Sequence, residues 1–106
     1  MIITTTPTVE GRPIRDYIGL VGSEVVVGAH IFRDLFAAVR DVVGGRSGAY
    51  EGAVREARAD AMREMEQSAA SMGADAIVGV DFDYEVMGKG GSMMMVCVCG
   101  TAVKLG

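Results

Sequence analysis

The sequence predicts a two-layer α+β domain, an antiparallel sheet with a long hairpin packed by one long and one shorter helix. Three observations carry this prediction. Apolar residues recur at helical spacing in two central segments, β-branched and apolar residues dominate the segments on either side, and glycine clusters separate the units. A chain of 106 residues has room for a single domain over residues 1–106, because domains usually hold roughly 100 to 150 residues around one core.

Ile2, Ile3, Thr4, Thr5 and Thr6 are β-branched and predict a short edge strand, which Pro7 ends because it has no amide hydrogen to donate. After a turn at Glu10, Gly11, Arg12 and Pro13, a β-rich stretch runs from Ile14 to Val27. Gly19 and Gly22 within it predict bulges or close backbone contact. Across residues 29–43, Phe32, Leu35, Phe36, Val39 and Val43 fall on one helical face, and Gly44 and Gly45 end that first helix. A second helix is predicted over residues 49–72, with Tyr50, Val54, Ala57, Ala61, Met65, Ala69 and Met72 as its apolar stripe and Gly73 as its stop. At 1.5 Å per residue it would be roughly 36 Å long. That length suits two long strands, 75–87 and 92–105, joined through Gly88, Lys89, Gly90 and Gly91.

A two- or four-residue turn centred on Lys89 and Gly90 would pair Val86 with Met93, Tyr84 with Met95, Phe82 with Cys97, Val80 with Cys99 and Val78 with Thr101. In that register one face is apolar throughout and is the face the second helix covers. The other carries Asp81, Asp83 and Glu85 beside Met94, Val96 and Val98, a mixture suited to contact with another subunit. A three-residue turn would shift the pairing by one and set the carboxylates beside the thiols. The first register is favoured because it keeps charge away from the helix.

Half of the residues are apolar and 23% are charged, an excess for so short a chain that points to subunit interfaces. No run approaches the 18 or so apolar residues of a membrane span, and residues 1–10 lack the pattern of an export signal. Net charge is −4 with no cluster of Lys or Arg, which argues against nucleic acid and anionic membrane as partners. Cys97 and Cys99 are too close along one strand to join distant parts of the chain, and a reducing cytoplasm is the expected compartment.

Several ordered motifs share a further property: Phe32-Arg33-Asp34, the run from Arg40 to Glu51, the run from Gly73 to Val80, the run from Gly91 to Val96, and Gly100-Thr101-Ala102-Val103. Together they resemble the YbjQ-like family over nearly the whole chain. The resemblance implies a dodecin-like subunit assembled into a ring-shaped homopentamer. It also implies heavy-metal binding as the family's nominal function, hence a soft metal ion as cofactor, and it brings no catalytic residues. The family usually has Ser where Cys97 and Cys99 stand, so a metal role for these thiols would be peculiar to this chain.

Met93, Met95, Cys97 and Cys99 form a same-side row of soft sulfur donors suited to copper(I) or a similar ion, with Cys97 and Cys99 as its metal ligands. Burial as core is the preferred reading, because Met and free Cys commonly fill cores and the favoured register sets both thiols against Phe82 and Val80. His30 stands where the family usually has Asn, which favours helix capping over chemistry. Arg46 and Ser47, in the Gly44 to Gly48 corner entering the second helix, are a candidate anion site, against the preferred reading of a tight helix-to-helix turn. Asp81, Asp83 and Glu85 could bind a hard cation, although alternating acids on a strand are usually solvated or paired. With one histidine there is no nucleophile and base arrangement to propose, so no enzyme is expected. The expected function is a small-ligand or heavy-metal-binding homo-oligomer of unidentified ligand. The alternative is a structural or regulatory interaction module with no ligand.

Overall fold

The computed structural model describes residues 1–28, 48–91 and 93–106. The predicted first helix, with His30, Arg46 and Ser47, lies outside the described residues. The elements are β1 (Ile2–Ile3), β2 (Ile14–Val27), α1 (Gly48–Ser71), β3 (Ala76–Met87) and β4 (Met93–Leu105). They form one four-stranded sheet in the order β1-β3-β4-β2, with α1 lying across one face.

The helix buries Ala57, Ala61, Met65 and Ala69, four residues of its predicted stripe spaced one turn apart. Ala61, Met65 and Ala69 join Val21, Ile77, Val80, Val98 and Ala102 in the main core. Ala57 joins Val27, Met94 and Val96 nearer the helix start. Burying side chains the size of Met65 and Val96 contributes roughly 1.5 to 3 kcal/mol each, and three alanines in the contact let the helix settle close to the sheet. Ser23 reaches from β2 to the helix, its hydroxyl donating to the Glu64 carboxylate at 2.5 Å. The helix ends in a Schellman motif. Gly73 has φ +81°, its amide donates to the Ala70 carbonyl at 3.0 Å, and the Ala74 amide donates to the Ala69 carbonyl at 3.1 Å.

The predicted sheet was antiparallel throughout, whereas the observed one is mixed. β1 runs parallel to β3, with Ile2 opposite Ala76 and Ile3 opposite Ile77. The long connection through β2 and α1 permits a parallel pair, which a tight hairpin cannot make. On the face away from α1, Val9 and Ile14 pack over Ala76, Val78, Val103 and Leu105, closing that end of the sheet. Asp75 fastens the same end. Its carboxylate accepts the Leu105 amide at 2.9 Å, and that hydrogen bond holds the carboxyl below its ordinary pKa.

The hairpin register differs from the favoured prediction over most of its length. The prediction holds at the closed end, where Ala76 pairs with Val103, Ile77 with Ala102 and Val78 with Thr101. A bulge then sets Gly79 and Val80 against Gly100 alone. From Asp81 opposite Cys99 to Met87 opposite Met93, the pairing is displaced by one residue. Gly79 has φ +62°, the left-handed conformation expected at the first position of a G1-type bulge. Two bulge amides turn outward and are satisfied: Gly79 donates to the Thr6 carbonyl at 2.9 Å and Val80 to the Thr4 carbonyl at 3.1 Å. A side chain at Gly100 would meet Ile77 Cγ2 at 2.7 Å and Val80 Cγ2 at 3.1 Å, so glycine there leaves room for the bulged strand.

Candidate functional site

The displaced register decides what the open face of the sheet presents. Along β4, Met94, Val96, Val98, Gly100 and Ala102 are buried, while the alternate residues Met93, Met95, Cys97 and Thr101 are half-buried and Cys99 is exposed. The preferred reading of Cys97 and Cys99 as core is therefore corrected. The apolar row that meets the helix consists of Val80 and Phe82 on β3 with Val96 and Val98 on β4, and the thiols point to the other side.

On that open face Met95, Cys97 and Cys99 each have a carboxylate in register beside them, while Met93 stands opposite Met87. Asp81 stands opposite Cys99, Asp83 opposite Cys97 and Glu85 opposite Met95. From the other neighbour, β2, Glu24 stands opposite Cys97, Gly22 opposite Cys99 and Val26 opposite Met95. This is the arrangement that the disfavoured three-residue turn would have produced. The connection between β3 and β4 spans residues 88–92, an odd number, which shifts the pairing in the same sense. No charge is stranded against the helix, because the bulge reverses the alternation of β3 and directs Asp81, Asp83 and Glu85 outward.

Cα atoms two residues apart on a strand lie roughly 6.5 to 7 Å from each other, so Cys97 and Cys99 are separate stations on one row. The Cys97 thiol has its pKa raised, first by desolvation and then by the negative charge of Glu24, Asp83 and Glu85. A bound cation would reverse that balance by replacing the proton. The donor types fit a thiophilic heavy-metal ion: thiol sulfur with carboxylate oxygen beside it. Among the described residues, however, no three His, Cys, Asp or Glu side chains gather into a group that could hold a metal ion. One chain therefore offers in-register pairs and not a closed coordination shell.

Glu24 is the part of this face that sequence reasoning did not identify. Its signal was present in the alternation of Gly22, Glu24 and Val26, but only the pairing of β2 with β4 places it beside a thiol. The candidate anion residues Arg46 and Ser47 lie outside the described residues. A cleft of about 220 Å³ between β2 and α1 is lined by Val25, Val27, Ala53, Glu56, Ala57 and Asp60. Pockets for drug-sized molecules usually run from about 300 to 1,000 Å³, and no polar side chain is buried among the described residues to fix such a ligand.

No helix among the described residues is long and apolar enough to cross a membrane. The whole chain, residues 1–106, matches the YbjQ family model, described as putative heavy-metal-binding. Among solved structures, it is similar to a protein of unknown function of the DUF74 family from Pediococcus pentosaceus. The two share 18% identity with a TM-score of 0.59, over 100% of this chain and 98% of that one, a likeness of fold.

Proposed function

The chain belongs to the YbjQ family, and from that premise we propose that it binds a thiophilic heavy-metal cation as part of a homo-oligomer. The observation that supports this is the in-register placement of Asp81 beside Cys99 and Asp83 beside Cys97 on a face that α1 does not cover. Accessible sulfur with oxygen alongside is a donor set for a heavy cation, whereas the buried thiols favoured from sequence would not have been. Two free thiols on an open face suit a reducing compartment, so the cytoplasm is the proposed location. The reading is one of binding and assigns no reaction.

The ring-shaped pentamer implied by the resemblance is the proposed assembly. Among the described residues, the outer edge of β2 has no strand partner, and neither does β3 from Asp81 to Met87. These two edges lie on opposite sides of one sheet, which favours head-to-tail contacts that close into a ring.

A structural or regulatory module without a ligand is the second reading. Leu20, 85% exposed, and Val26, 52% exposed, lie on the same open face and suit a protein contact. Native mass spectrometry of protein isolated from cells tests the choice. A stoichiometric bound ion supports the metal reading, and particles of bare protein support the module.

A further inference from the structure

The thiol and carboxylate pairs sit in the middle of the sheet. Cys97 and Cys99 belong to β4, which has β3 on one side and β2 on the other, so a chain that abuts a sheet edge does not reach them. Among the described residues none lies over the two thiols, so a molecule lying over the face is placed to add ligands. Among the described residues the face carries the carboxylates of Glu24, Asp81, Asp83 and Glu85, all on exposed residues, and these oppose apposition of two such faces. Around them lie Leu20, Val26 and Met95, which would gain from losing water.

We infer that a divalent thiophilic cation of the cadmium or zinc class joins two copies of this chain face to face, each copy supplying thiol and carboxylate ligands to a shared ion. This rests on the metal-binding reading and adds to it the identity of the missing ligands and the charge class of the ion. A pair from one chain is half of a four-ligand shell, and a second copy supplies the other half. The spacing is suitable. Sheets packed face to face lie about 10 Å apart, and thiols standing roughly 3 Å above each would leave roughly 4 Å between them. Two metal–sulfur bonds of about 2.3 Å fill a gap of that size. A divalent ion also offsets more of the carboxylate charge than copper(I) does, and mixed sulfur and oxygen ligation suits zinc-like ions better than a purely soft one. Binding is written with its protons: each coordinating thiol releases one proton to solvent as its sulfur ligates the ion, with no change of oxidation state.

The test uses the full chain, stripped with EDTA and kept reduced, with Cd²⁺ as the probe. Bound cadmium is measured by equilibrium dialysis, and chains per particle by light scattering. Cadmium should double the number of chains per particle, and EDTA should reverse it. The double variant Cys97→Ser with Cys99→Ser should lose both cadmium binding and doubling. Asp81→Asn with Asp83→Asn should keep the thiols yet weaken cadmium binding at least tenfold, and circular dichroism checks that each variant is folded. Stoichiometric cadmium on the wild type without a change in chains per particle would overturn the face-to-face inference and leave the metal reading standing. No cadmium binding to the wild type would overturn both. Doubling in EDTA, or undiminished doubling in the cysteine variant, would overturn the role given to the ion.

Discussion

Cys97 and Cys99 share a strand and a face, yet their surroundings differ in ways that set their reactivity. Cys99 is exposed and pairs across the sheet with Gly22, which has no side chain to shield it. Cys97 is half-buried between Asp83 and Glu24, and desolvation and negative charge raise its pKa. The thiolate is the reacting form, so at a given pH below its pKa Cys97 holds less of it. Both thiols are expected to react with a small alkylating reagent without denaturant, Cys99 first, and the rate at Cys97 should rise with pH over a higher range than for an ordinary thiol. Mass spectrometry of the single Cys97→Ser and Cys99→Ser variants reads each site separately. Protection of both thiols until denaturant is added would contradict the open-face placement. The residue types of this site were legible in the sequence, because sulfur and carboxylate donors at period two stand out. Their common face was not, because it depends on a pairing displaced by one residue.

At the scale of elements, periodicity was sufficient where structure is local and failed where it is not. Residues 14–27 form the predicted strand, and the helix and both hairpin strands fall within one residue of their expected ends. The predicted bulge or close contact in β2 is also present. Its register shifts between Tyr17 and Gly19, and a side chain at Gly22 would lie 2.9 Å from the Val98 carbonyl. Gly79 interrupts the β-like run from Ala76 to Val80 as Gly19 and Gly22 interrupt β2, but the bulge was missed because a single glycine does not show whether its φ is left-handed, and that φ leaves no periodic trace. Yet that glycine controls which face the carboxylates occupy. A Cβ at Gly79 would meet nothing within 4 Å, so Gly79→Ala carries a conformational cost and no steric one. The expected loss is about 1 to 2 kcal/mol of folding stability, the usual penalty for an L-residue held in the left-handed region. Urea denaturation measures it. A variant as stable as the wild type, with Cys99 labelling unchanged, would show that the bulge does not need glycine.

For the whole molecule, the described residues make one helix on a four-stranded mixed sheet, with α1 covering one face over β2 and β4 while Tyr84 and Val86 of β3 stay exposed there, and with Val9 and Ile14 packing over one end of the other face. The parallel entry of β1 was not legible, because two residues carry no signal of which edge they join. The assembly argument follows from what this layout leaves unpaired. Among the described residues nothing pairs with the long edge of β2 or with the outer edge of β3 beyond the bulge, and open edges of that length promote uncontrolled association unless something covers them. A head-to-tail contact covers both kinds of edge with one interface, and repeated around an axis it leaves no free end. Metal-free protein should therefore sediment and scatter as one species of about five times the 11.1 kDa chain mass, independent of dilution across the micromolar range. Replacing Val25, half-buried on the edge strand β2, would disturb the core as well as the contact, so the informative variant is Val26→Lys on the open face. That change should leave the ring intact while abolishing the cadmium-dependent doubling. A mass near that of one chain would refute the ring, and a stable dimer would refute its fivefold order. Breakdown of the metal-free particle by Val26→Lys would show that the open face, and not the strand edges, holds the ring together.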